Sequence, residues 1–153
     1  MLNPKDRYWV LVADSGQARL LEMQRKPYAF RQLSEVVSET RHLTSKELVS
    51  DASGRTYHTQ GPGTHGMQPR SDPHDLAEEQ FVAGLAKKMN HAATQGRFEH
   101  LVLIADARTI GRLRRALGKE AADRVLKEQA LNLSNIPLQS LEPRVRDILG
   151  WAA

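Results

Sequence analysis

Two aspartates stand at matching places in this chain. Asp14 closes the apolar run Tyr8–Ala13, and Asp106 closes a second run, His100–Ala105. If the runs are neighbouring strands, the carboxylates meet at one sheet edge, with Glu22 near enough to join them. A two-metal nuclease collects its ligands in this way, because a pair of cations clamping a phosphate needs several carboxylate oxygens. The same residue type is also a common turn and helix-cap residue. Asp14-Ser15-Gly16 reads as a hairpin turn, and Asp106 stands where a helix begins. Spacing alone leaves both roles open.

A second set of reactive groups lies in the stretch Ser53–Pro73, which holds Gly54, Gly61, Gly63 and Gly66 together with Pro62, Pro69 and Pro73. Glycine and proline at this density prevent a regular helix or strand, so a loop over 53–73 is predicted. A loop this long inside one domain is either functional or disordered. Gly61-x-Gly63-x-x-Gly66 copies the dinucleotide fingerprint literally. That fingerprint works only where a strand leads directly into a helix, and here Met67 to Pro73 intervene. Neither this pattern nor a phosphate-binding Gly-Lys-Ser/Thr supports a nucleotide cofactor. His58, His65 and His74, with Asp72 and Asp75 near them, match no compact zinc spacing, and no metal is expected.

The third feature is basic. On a helix over Arg108 to Leu117, Arg108, Arg112 and Arg115 fall at i, i+4 and i+7, while Ile110, Leu113 and Leu117 take the other side. Three guanidiniums on one face suit forked contact with phosphate oxygens, and Arg114 stands beside them. Few acids interleave the stripe, only Asp106 at one end and Glu120 at the other. The competing reading is a solvated charged face.

The elements that must position these groups follow from periodicity. Tyr8 to Ala13 is a buried strand. Gln17 to Met23 alternates and returns as its hairpin partner, and Phe30 to Val37 follows the Lys26-Pro27 turn as a third strand. Thr44 to Val49 can form one or two helical turns. Ser71-Asp72-Pro73 opens a long helix, with Leu76, Phe81, Leu85, Met89 and Ala92 at helical spacing and Gly96 as its stop. His100 to Ala105 is the next strand. Helices follow at Arg108 to Leu117 and Ala121 to Lys127, then a short strand at Ala130 to Leu133. A last amphipathic helix carries Leu138, Leu141, Val145, Ile148 and Leu149. The expected fold is α/β: a mixed five-stranded sheet, a three-strand antiparallel meander followed by βα units, with one long Gly/Pro-rich loop.

The chain has 153 residues, a net charge of +4 and a pI near 9.6. Its length suits a single domain over 1–153, and its charge leans toward polyanionic partners. It has no cysteine, which removes disulfides, thiolate metal sites and cysteine nucleophiles. The apolar run near the N-terminus is too short for a signal-peptide core or a membrane span, so a cytoplasmic protein without membrane contact is expected.

Several blocks together resemble the bacterial host-attachment protein family. They are Trp9-Val-Leu-Val-Ala-Asp14-Ser-Gly-Gln-Ala-Arg-Leu-Leu-Glu22, Asp51-Ala-Ser-Gly54-Arg55, Phe81 to His91, and Leu101-Val-Leu-Ile-Ala-Asp-Ala-Arg108-x-x-Gly111-x-Leu113-Arg114. That family is similar in turn to the middle domain of archaeal and eukaryotic class-1 peptide release factors. The resemblance implies a ribonuclease-H-like core. It also implies a protruding loop that in release factors carries Gly-Gly-Gln into the peptidyl-transferase centre. The matching string here is His65-Gly66-Met67-Gln68, where Met67 replaces the second glycine. Its side chain removes backbone freedom that the hydrolysis of peptidyl-tRNA uses.

The leading reading is therefore a non-catalytic protein associated with ribosomal or other structured RNA, acting in rescue, hibernation or stress. Gly63, His65, Gly66 and Gln68 would form an inserting tip, flanked by Arg55 and Arg70. Arg108, Arg112 and Arg115 would form a second contact surface. One alternative is an enzyme, either a metal-dependent nuclease using Asp14 and Asp106 or a weak peptidyl-tRNA hydrolase using Gln68. Another is a protein-interaction module or homodimer.

Overall fold

A computed structural model describes residues 3–38 and 72–151. Five strands form one sheet in the order β3-β2-β1-β4-β5. β1 (Arg7–Ala13), β2 (Gln17–Arg25) and β3 (Tyr28–Val37) are the antiparallel meander. The chain resumes as α1 (Pro73–Thr94), then β4 (His100–Ala105), which lies parallel beside β1. After it come α2 (Ala107–Ala116), the single turn α3 (Lys119–Asp123), β5 (Val125–Ala130) parallel to β4, and α4 (Leu138–Leu149). β2 alone runs against the other four strands. This is the mixed five-stranded α/β sheet expected from the sequence, an antiparallel meander followed by parallel βα strands.

β1 and β4 are continuous apolar runs because both faces of the sheet are covered, as is usual for parallel strands. Trp9, Leu11 and Ala13 point to a core shared with α1, α2 and α3. Tyr8, Val10 and Val12 point to a second core closed by Leu141 and Val145 of α4. Asp72 caps α1, its side chain accepting from the His74 N–H at 2.7 Å, with Pro73 in the first turn. Gly150 ends α4 in the left-handed region at φ 74°, which a residue without a Cβ adopts at no steric cost.

Three sequence expectations are corrected. The fifth strand is Val125–Ala130, not Ala130 to Leu133, and the helix expected over Ala121 to Lys127 is only α3. Val-Leu-Lys-Glu-Gln-Ala is rich in helix formers, and pairing with β4 overrides that preference. Leu76 is 48% exposed rather than part of the buried stripe, which runs through Val82, Leu85, Ala86, Met89, Ala92 and Ala93. The first turns of α1 turn acids, not apolar groups, toward α2. The turns expected at Thr44 to Val49 and most of the 53–73 loop lie outside the described residues.

Candidate nucleic-acid interface

Ala13 pairs with Ala105 in parallel register, so Asp14 and Asp106 leave the sheet at the same end. Each is committed locally. Asp14 Oδ1 accepts from the Gly16 and Gln17 amides at 2.7 and 2.8 Å, which forms the hairpin turn, and its Oδ2 accepts from Ser134 Oγ at 2.8 Å. Asp106 caps α2, accepting the Thr109 amide at 3.1 Å and the Thr109 hydroxyl at 2.7 Å. Glu22 is not with them. It pairs across from Trp9, four residues up the strand from the Ala13–Ala18 pair, on the order of 13 Å away. There it accepts from Trp9 Nε1 at 3.0 Å and from Arg31 at 3.0 Å. Among the described residues no group of three histidines or carboxylates is placed to hold a metal. Asp14 and Asp106 thus serve as turn and cap residues.

The arginine stripe is divided. Arg112 is 8% exposed and pairs with Glu78 of α1 at 3.2 Å. Glu78 also takes Ser15 Oγ at 3.0 Å and His74 Nδ1 at 3.2 Å. The expectation that Arg112 projects into solvent with its neighbours is therefore wrong. Its helical position borders the buried face of Thr109, Ile110 and Leu113, and a carboxylate on α1 meets it there. Arg108 remains 62% exposed while touching Asp75 at 3.1 Å. Arg115 is exposed and has no ion pair among the described residues.

α1 and α2 pack side by side, and their seam changes character along its length. At the N-terminal end Asp75 and Glu78 neutralise Arg108 and Arg112. At the other end Asn90 bridges the helices, donating to the Ala116 carbonyl at 3.3 Å and accepting from the Gly118 amide at 2.7 Å. One turn before Asn90, Lys87 is exposed and without an ion pair among the described residues. Lys87 is a cation the arginine spacing did not reveal, because the seam exists only once the two helices are packed. The other cations at this end are held. Arg114 pairs with Glu128, and that hydrogen bond raises its pKa; Lys119 pairs with Asp123 at 2.7 Å, with the same effect. Arg55, Gly63, His65, Gly66, Gln68 and Arg70 lie outside the described residues.

Where the β1–β2 turn meets α1 there is a hollow of about 210 Å³, lined by Asp14, Ser15, Gly16, Ser38, His74, Ala77 and Glu78. Ser38, the last described residue after β3, and His74, in the first turn of α1, both border it. Ser38 and His74 therefore stand beside the same carboxyl end of the sheet.

A family model described as "Protein required for attachment to host cells" matches residues 9–145. No curated protein matches the chain. Among solved structures, the chain is similar to one described only as an archaeal protein, at TM-score 0.47 and 10% identity, over 92% of this chain and 33% of that one. It is similar to an archaeal translation termination factor at TM-score 0.49 and 7% identity, over 95% and 42%. It is also similar to an archaeal actin homologue at TM-score 0.43 and 12% identity, over 99% and 51%. This chain spans from a third to about half of the length of those proteins.

Proposed function

The chain belongs to the family of proteins described as required for attachment to host cells, and within it we propose a non-catalytic, cytoplasmic binder of structured RNA, with the ribosome as the RNA to test first. The observation that supports this reading is the exposed cationic end of the α1–α2 seam. Arg115 and Lys87 have no acidic partner there among the described residues, and Arg108 stays largely exposed further along. Guanidinium and ammonium groups that keep their hydration until a polyanion arrives gain by releasing its counterions. The net charge of +4 favours the encounter. The similarity of that family to release-factor middle domains directs the reading to translation rescue, hibernation or stress. Attachment to a host would then follow indirectly, from the state of the cell rather than from contact by this chain.

The test is co-sedimentation with ribosomes on a sucrose gradient at physiological salt. Wild type is compared with Arg108→Ala/Arg115→Ala and with Lys87→Ala, and Arg112→Ala serves as a control for folding. Wild type is expected with the ribosomes, less so as salt rises, and the double variant at the top of the gradient. Wild type that stays at the top, or a double variant that migrates like wild type, overturns the reading.

A further inference from the structure

Among the described residues, α1 covers β1 and β4 but not the β2–β3 flank of the same sheet face. Between that flank and the helix runs a groove of about 370 Å³. This lies in the lower part of the range for sites that take small organic molecules. Its walls are aliphatic, including Leu11, Leu20, Leu33, Val36, Leu85 and Met89, and Ser34 is the one hydroxyl among the described lining residues. Such walls have little with which to read a peptide backbone or a nucleobase. The rim is cationic. Lys88, His91 and Arg97 border the groove, all three exposed and without an ion pair among the described residues. Arg97 lies 5.7 Å from the centre of the Trp9 ring, which closes one end. Glu22, which pairs across from Trp9, is held by Arg31 and Trp9, while Glu35 stands exposed on β3 between the lining residues Ser34 and Val36.

We propose that this groove binds a small amphiphilic anion, an unbranched apolar chain ending in a single carboxylate. The chain would lie between α1 and the β2–β3 flank, and the head would meet Lys88 and Arg97. An apolar wall of this size gains from removing hydrocarbon from water. Cations on its rim turn that gain into selectivity for an acid over the corresponding alcohol. The site uses the opposite side of α1 from Arg108 and Arg115, so it stands or falls independently of RNA binding.

The experiment is calorimetric titration of the full chain with decanoate, decanol and acetate. Saturable one-to-one binding of decanoate is expected, no binding of acetate, and decanol weaker by roughly tenfold, the worth of one charge-assisted contact. Lys88→Gln/Arg97→Gln, which alters only exposed groups, should bring decanoate down to the affinity of decanol. Leu33→Trp, placed to fill the groove, should weaken both, with thermal melting to confirm that each variant is folded. The proposal is overturned if decanoate does not saturate, if acid and alcohol bind alike, or if the charge variant binds decanoate as the wild type does.

Discussion

Arg7 and Glu99 form the best-connected ion pair among the described residues. Glu99 accepts from the Arg7 amide at 2.6 Å and from its guanidinium at 2.7 and 3.2 Å, and the same guanidinium reaches the Gly96 carbonyl at 2.8 Å. The pair ties the entry of β1 to the turn that follows α1. Hydrogen bonds from Arg7 hold the Glu99 carboxyl below its usual range despite its partial burial. A carboxyl whose pKa is depressed on folding adds stability above its unfolded pKa, about 4.3, and loses it as pH falls through the folded value. Glu99→Gln is therefore expected to lower the melting temperature at pH 7. The gap to wild type should close as the pH is brought below about 4, which a series of melts in one buffer system will show. A constant gap would mean the carboxylate charge is not what stabilises the pair. Residue roles of this kind were only partly legible. The turn and cap roles of Asp14 and Asp106 could be read from the sequence, but the hydrogen bond from Ser134 to Asp14 joins residues far apart in the chain and could not. Arg112 looked like its neighbours in the sequence, because its fate depends on which face of another helix it meets.

Elements were more legible where one rule dominated. β1, β2, β3, β4 and both long helices follow from apolar period, caps and glycine stops. β5 did not, since an edge strand with exposed Leu126 needs no apolar alternation and takes its conformation from β4. The phase of α1 was half legible: Leu85, Met89 and Ala92 are buried as expected, while Leu76 is not. Within α1, Gly84 is exposed and a Cβ built there meets nothing within 4 Å. Glycine in a helix interior carries an entropic cost that alanine avoids. Gly84→Ala should raise the free energy of unfolding by about 0.5–1 kcal/mol, read as a higher urea midpoint at unchanged slope. A loss would show that something approaches this face of the helix more closely than the described residues do.

At the scale of the whole molecule, the sheet's centre and edges differ. β1 and β4 are almost wholly buried between two cores, whereas β3 and β5 alternate between half-buried and exposed positions. Hydrogen exchange should therefore be slowest at the amides of Val10, Leu11, Val102 and Leu103, near the global unfolding limit, and faster along β3 and β5. Equal protection across all five strands would contradict a centre closed from both sides. The strand order was not legible, because no residue pattern says which apolar run lies beside which. No described helix is long and apolar enough to cross a membrane. The shared border of Ser38 and His74 on one hollow has a meaning for how such a chain can change over time. When the two anchor points of a long connection stand together, closing it costs little more for a long insert than for a short one. The strands and helices can then stay as they are whatever the length of that connection, so the frame itself sets little limit on it.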